Sequence, residues 1–477
     1  MTTYPTHFKL FTERMTAEAL PPIFIDTFAY YYEQLMAGAT GLISESDIQP
    51  VCDLPDAELL PDKYLLSGEE ALARTAVIKL NGGLGTSMGL EQAKSLLVIK
   101  DDLTFLDIIA RQSLKISVPL ILMNSFATRD DSLALLQKYP DLWSELPIDF
   151  LQHKAPKITQ SDLTPVQWSD NPDLEWCPPG HGDIYTSLVT SGTLDALLEA
   201  GYEYAFVSNA DNLGAVVDKS ILGYFAAHQL PFMMEVADRT LMDRKGGHLA
   251  RQADGRLVLR EVAQCPQEDL AAFQDISHHK YFNTNNLWLH LPTLKQVMIE
   301  RKYRLGLPMI RNAKTVDPRD PNSTPVYQIE TAMGTAVSVF ADAQAIRVPR
   351  SRFAPVKRTE DLLAVRSDAY TLTEDFHIVP SAYRQMRHFV INLDERYYKF
   401  VTDLDIHFPQ GTPSLVNCTR FEVKGDFYFG RDVVCHGEVQ LTNESDEARF
   451  VGDEAILSDD YQVGNSSLPA ILHTLSH

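Results

Sequence analysis

Between Ala76 and about residue 375, short uninterrupted apolar runs alternate with segments of helical period. The runs Ala76-Val77-Ile78, Leu120-Ile121-Leu122, Ala205-Phe206-Val207 and Phe232-Met233-Met234 are bounded by polar turns, and Phe105 to Ala110 reads as an intervening helix. A strand that is apolar throughout has to be covered on both faces, which is the situation of parallel strands in α/β proteins. The expected fold class is therefore α/β, with a mixed, mostly parallel, Rossmann-like sheet between helices.

The flanks have a different texture. Phe24, Phe28, Tyr31 and Leu35 fall on one stripe of a helix that starts after Pro21-Pro22 and stops near Gly38. Asp53 to Pro61 lacks periodicity and reads as a connector. Near the other end, Thr419 to Val423 and Phe427 to Phe429 alternate apolar and polar residues between Gly and Asp turns, the pattern of a small β domain. The expected division is an N-terminal helical region at 1–70, the α/β domain at 71–378 and the β domain at 379–477.

Composition excludes some partners. With 42 Lys and Arg against 64 Asp and Glu, the net charge of −22 leaves no broad footprint for nucleic acid or an anionic membrane, so a phosphate ligand has to be held in a pocket. No run reaches the ~18 apolar residues of a membrane span. Met1 to Leu20 has no signal-peptide core, so a cytoplasmic location is expected. The five cysteines lie far apart without a CxxC pair, which argues against a zinc knuckle or disulfide framework and for buried or half-buried free thiols.

The chemistry concentrates at strand ends. Lys79 to Gly89 places four glycines directly after the strand Ala76 to Ile78. Glycines admit positive φ and let backbone N–H groups approach a phosphate with no Cβ in the way. The spacing is neither that of a P-loop nor GxGxxG, so no P-loop ATPase or dinucleotide enzyme is implied. Lys94 follows as a flexible point charge suited to a triphosphate. Pro178-Pro179-Gly180-His181-Gly182-Asp183 fixes a stiff loop that suits ligand contact. Asp211 lies just past the strand Tyr204 to Val207, at the sheet edge where α/β proteins bind ligands, and one carboxylate plus substrate phosphates suffices for Mg²⁺. The amides of Tyr281 to Asn286 suit sugar hydroxyls. Arg347 to Arg358 holds five cations in twelve residues and reads either as a solvated basic surface or as a second source of charge for the phosphates.

Together, KLNGGLGTSMG, Lys94-Ser95, PPGHGDIY, FVSNADNLGA, FNTNNLW, ETAMG and VPRSRFAPVK resemble the eukaryotic-type UTP:glucose-1-phosphate uridylyltransferases, also called UDP-glucose pyrophosphorylases, from about residue 76 to 365. The segment MGLEQAKSLLVIKDDLTFLD is most similar to the protozoan, kinetoplastid branch. The resemblance implies a nucleotidyltransferase sheet, an N-terminal helical region and a C-terminal left-handed parallel β-helix. It implies that Leu80, Asn81, Gly82 and Gly83 contact UTP, with Gln152 and Gly180 selecting the base. His181, Asn209, Asn283 and Asn285 match the sugar-phosphate side, and Glu261 a sugar hydroxyl. Lys94 and Lys357 match the phosphate-neutralising lysines, and Asp211 the Mg²⁺ carboxylate. The implied partners are UTP and glucose 1-phosphate, and self-association would run through the C-terminal domain. Two alternatives stay open: a UDP-sugar or UDP-N-acetylglucosamine pyrophosphorylase of the same superfamily, and a catalytically silent regulatory relative.

Overall fold

The computed structural model describes residues 6–384 and 389–458. The apolar runs form strands at the expected places: Thr75–Asn81, Leu120–Asn124, Tyr204–Asn209 and Phe232–Asp238. They belong to a ten-stranded sheet whose main path runs Ile48–Pro50, His248–Gln252, Tyr281–His290, Tyr204–Asn209, Thr75–Asn81, Leu120–Asn124, Asp149–Leu151. The half from Tyr204–Asn209 to Asp149–Leu151 is parallel. The other half corrects the expectation of a mostly parallel sheet. Tyr281–His290 runs antiparallel to Tyr204–Asn209 and to Phe232–Asp238, and Ile48–Pro50, His248–Gln252 and Leu257–Arg260 continue antiparallel. The even apolarity of Phe232–Asp238 gave no hint of this, because a central strand is covered on both faces whichever way its neighbours run.

Both faces are covered. Ala76, Ile78 and Ile121 pack under helices Ile184–Thr190, Thr193–Glu199 and Leu291–Glu300. Val77, Leu120 and Leu122 pack under Phe105–Ile116, whose start is fixed by a capping box between Thr104 and Asp107. Pro22–Met36 is the helix read from its stripe, with Phe24, Phe28, Tyr31 and Leu35 all buried. Helix Lys63–Leu72 runs through residue 70, where the texture changes. It packs so closely on Lys219–Ala227 that a Cβ on Gly68 would meet the Lys219 carbonyl, so it is built into the α/β body.

The C-terminal segment is β, as its alternation predicts. Val390–Leu393, Ser414–Lys424, Val434–Thr442 and Ile456–Leu457 form an all-parallel sheet, while Phe427–Phe429 and Arg449–Val451 form a second parallel pair between its strands in sequence. Its core is continuous with that under Phe105–Ile116. All five cysteines are free, but Cys52 is exposed rather than buried or half-buried. Among the described residues, no helix is long and apolar enough to cross a membrane.

Candidate functional site

Of the expected site residues, Leu80 to Gly83, Gln152, Asn209 and Asp211 lie at the carboxyl ends of the parallel strands, while Gly180, His181, Glu261, Asn283 and Asn285 lie on or just after antiparallel strands. Thr75–Asn81 runs into the glycine loop, and Gln152 follows the strand Asp149–Leu151 two positions away in the sheet. A Cβ built on Gly82 would stand 2.9 Å from Gln152 Oε1, so the amide lies directly against the loop backbone and only glycine leaves room for it. The left-handed conformations of this loop fall at Gly85 and Gly89, so Gly82 is required for close approach rather than for its φ. Asn81 turns its side chain inward. Its side chain is buried and donates to Asn124 Oδ1 and Ser132 Oγ, both at 2.8 Å, so the amide braces the strand end and leaves only backbone for a ligand.

The Pro178–Asp183 loop is tied to Gln152 through its neighbour. His153 Nδ1 pairs with Asp183 Oδ1 at 2.8 Å, its backbone N–H donates to Asp183 Oδ2 at 2.7 Å, and its ring stacks on Phe24 at 4.2 Å. The aromatic stripe of helix Pro22–Met36 thus supports the loop from behind. Gly180 has φ +80°, and a Cβ there would meet the Thr331 carbonyl at 2.4 Å, which excludes every other residue twice over. His181 accepts from the Met333 N–H at Nδ1 (3.0 Å), so its ring proton sits on Nε2; burial holds the imidazole down to about 4 and neutral at pH 7.

Lys94 and Asp211, 117 residues apart in sequence, meet here. Lys94 Nζ donates to Asp211 Oδ2 at 2.6 Å, with the two side chains 15% and 21% exposed. Lys94 is anchored by its own N–H to the Gly83 carbonyl at 3.1 Å. The other carboxylate oxygen of Asp211 takes no hydrogen bond among the described residues, which leaves an oxygen donor of the kind hard divalent cations prefer. Lys357 arrives from the third direction. Val356 N–H donates to the Asp211 carbonyl at 3.2 Å, and Pro355 bridges to Asn212, so the exposed Lys357 begins one residue from the Asp211 loop. Its Nζ rests 5.7 Å from the centre of the Phe353 ring.

Glu261, Lys357 and Asn283 come together. Burial pushes the Glu261 carboxyl up, while the Lys357 ammonium and the Asn283 amide pull it back. Asn283 and Asn285 are joined, Nδ2 to Oδ1 at 2.7 Å, in an irregularity that sequence did not predict. The register of Phe232–Asp238 jumps from Asn286 opposite Glu235 to Asn283 opposite Val236, and Asn285 adopts φ +59°. A bulge of this kind re-aims side chains that a regular strand would send to opposite faces. Asn209 ends its strand half-buried, its amide without a partner among the described residues.

The basic stretch is only partly a solvated surface, with Arg350, Lys357 and Arg358 exposed, Arg347 half-buried and Arg352 buried, and its arginines are taken up by carboxylates. Arg347 pairs with Asp56, Glu58 and Asp238, Arg350 with Asp243, and buried Arg352 with Glu235 at 2.8 and 2.6 Å. Glu235, fully buried, also accepts from Trp288 Nε1 and Asn286 Nδ2, both at 3.0 Å. Lys79 lies nearby, bound to Ser208 Oγ and the Ala215 carbonyl. Burial first, then repulsion from Arg352, holds its ammonium down to about 7. None of this network was expected; its one visible sign is a lysine and a glutamate inside apolar strands, residues that are almost never buried unpaired. A separate cluster of Glu45, His278 and His279 offers ligand-type atoms, but Glu45 Oε2 is already held by Arg260 at 2.6 Å, and the group fastens the turn before strand Ile48–Pro50 to the sheet. A cavity of about 330 Å³ beside Lys79 and Phe206 is lined by none of the expected site residues.

Comparisons with known proteins extend over most of the chain. Residues 25–436 match the family described as UTP--glucose-1-phosphate uridylyltransferase. Proteins of that name from Solanum tuberosum and Musa acuminata are each 39% identical, over 82% and 91% of this chain and 81% and 92% of theirs. Among solved structures, a mutant of UDP-glucose pyrophosphorylase from Leishmania major is 43% identical with TM-score 0.91, covering 96% of this chain and 99% of that one. A protein from Trypanosoma brucei described as UDP-glucose phosphorylase is also 43% identical, with TM-score 0.84 over the same shares.

Proposed function

The chain belongs to the UTP--glucose-1-phosphate uridylyltransferase family and is an enzyme of its reaction, in which UTP and glucose 1-phosphate give UDP-glucose and pyrophosphate; we propose the following division of labour among its residues. The sugar phosphate attacks the α-phosphorus of UTP in line, and pyrophosphate leaves. A phosphate monoester is already an anion at pH 7, so the attack needs no general base, and catalysis reduces to alignment and charge neutralisation. The observation that carries this reading is the meeting of Lys94, Asp211 and the Lys357 segment where the glycine loop ends.

Lys94 and Lys357 neutralise the triphosphate from two sides. The backbone of Leu80 to Gly83, with Gln152 and Gly180, holds the base. Neutral His181 donates from Nε2 to the sugar-phosphate side, while Asn209, Asn283, Asn285 and Glu261 bind sugar hydroxyls. Asp211 would hold Mg²⁺, which supplies further positive charge to the phosphates when bound. With nucleotide bound, Lys94 leaves its pairing with Asp211 and turns its ammonium to the phosphates. We read the parallel C-terminal coils as a left-handed β-helix domain at 379–477, following a catalytic domain at 71–378 and an N-terminal region at 1–70, and as the surface through which copies of the chain would associate; residues 1–5, 385–388 and 459–477 of these spans lie outside the described residues. A cytoplasmic location fits the reading.

Pyrophosphate release with UTP and glucose 1-phosphate, N-acetylglucosamine 1-phosphate or galactose 1-phosphate tests the assignment. Strong preference for glucose 1-phosphate is expected. Equal rates with all three would make it a broad UDP-sugar enzyme, and no release with any would make it a silent relative.

A further inference from the structure

The residue after Asp211 is Asn212, 1% exposed and out of reach of a ligand. Its side-chain amide nevertheless joins separate pieces of the site. Oδ1 accepts from the Ala354 N–H at 3.0 Å, and Nδ2 donates to the Arg352 carbonyl at 3.1 Å and to Asn286 Oδ1 at 3.3 Å. The first two bonds hold the segment leading to Lys357, and the third reaches the strand that carries Asn283 and Asn285. Asparagine alone combines this reach with a donor and an acceptor on one planar group: aspartate lacks the donor, and serine is too short.

The segment it holds is otherwise anchored at its two ends. Upstream, Arg352 is fixed by Glu235 and by the Val216 carbonyl at 2.9 Å. Downstream, the N–H groups of Lys357 and Arg358 both donate to Asp361 Oδ2 at 2.9 Å. Between these anchors, Ala354 to Val356 lie against the Asp211 loop through Asn212 and through the longer Val356-to-Asp211 bond of 3.2 Å.

We propose that Asn212 is a positioning residue that sets the Lys357 segment, and so its ammonium, in register with the Asp211 loop. The inference rests on the assignment of Lys357 to the phosphates. Asn212 touches no substrate and acts through Lys357, so its removal matters only while that lysine is present.

A double-mutant cycle on turnover tests this. Displacing a catalytic group by an ångström costs on the order of 10²-fold, so Asn212→Ala should lower kcat by about 10- to 100-fold while leaving KM for UTP within about threefold, since the base contacts lie on the Gln152 side. In a Lys357→Ala background the same change should cost less than about threefold, because the two residues then act as one unit. Asn212→Asp, of the same size but with a charge facing two oxygen acceptors, should match the Asn212→Ala variant, and it carries the test if the alanine substitution prevents folding. Equal losses in both backgrounds, or normal turnover of Asn212→Ala, would overturn the inference while leaving the role of Lys357 intact. Normal turnover of Lys357→Ala alone would overturn both.

Discussion

Replacing Arg352 with methionine removes the guanidinium from a fully buried carboxylate, and the cost can be bounded from the contacts that remain. Glu235 keeps the Trp288 and Asn286 donors at 3.0 Å but loses two charge-assisted bonds. Breaking a buried pair from one side typically costs roughly 3–5 kcal/mol, because the remaining charge stays desolvated. Lys79 lowers the figure, because the repulsion from Arg352 that helps hold its ammonium down disappears and the lysine can charge opposite Glu235. The expected destabilisation at pH 7 is therefore about 2–4 kcal/mol. Guanidinium unfolding followed by fluorescence reads this directly, since Trp288 donates to Glu235 and reports the site itself. Arg352→Met combined with Glu235→Gln should recover most of the loss. A single variant within about 0.5 kcal/mol of the parent, or a double variant no better than the single, would refute the claim that this ion pair holds the sheet to the Lys357 segment.

The other expectations are briefer. Gly82→Ala puts a Cβ within 3.0 Å of the Gln152 amide, so KM for UTP should rise about 2- to 10-fold from the loss of one hydrogen bond while kcat holds; unchanged KM would remove Gln152 from the base pocket. Lys94→Ala should lower kcat by about 10²–10³ with the melting transition intact, the loss expected for one preorganised charge contact, and near-normal turnover would contradict its role. His181, held down to about 4, is neutral in the fold while an ordinary imidazole titrates near ~6.5; its contribution to stability is full above that pH and is lost as pH falls toward 4. His181→Gln should flatten acid destabilisation over that window in urea unfolding, and an unchanged slope would show that the ring is not held neutral.

Much of the architecture was legible because it depends on one-dimensional pattern. The stripe of Phe24, Phe28, Tyr31 and Leu35 gave its helix, and four apolar runs gave strands, since periodicity and burial are local properties. The glycine loop, Gly180 and Asp211 were legible for the related reason that close backbone approach and strand-end position leave marks in sequence. What escaped were matters of pairing. Parallel and antiparallel neighbours cover Phe232–Asp238 equally well, and the bulge at Asn283 to Asn286 exists only relative to its partner strand. The same holds for charges. Arg347 and Arg352 look like their neighbours Lys357 and Arg358 in a basic run, and only the partners brought from Asp56, Glu58 and Glu235 separate the structural arginines from Lys357. Asn81 shows a third limit: a motif position can matter through its backbone while its side chain faces the interior, and sequence does not separate the two.

The most direct test of the account is a crystal structure of the enzyme with Mg²⁺ and an unreactive UTP analogue, in which the positions of the two ammonium groups are measured against the triphosphate. Both Lys94 Nζ and Lys357 Nζ are expected within ~4 Å of phosphate oxygens, with Lys94 released from Asp211. A nucleotide bound while Lys94 stays paired to Asp211 and Lys357 stays over Phe353, neither reaching a phosphate, would contradict it.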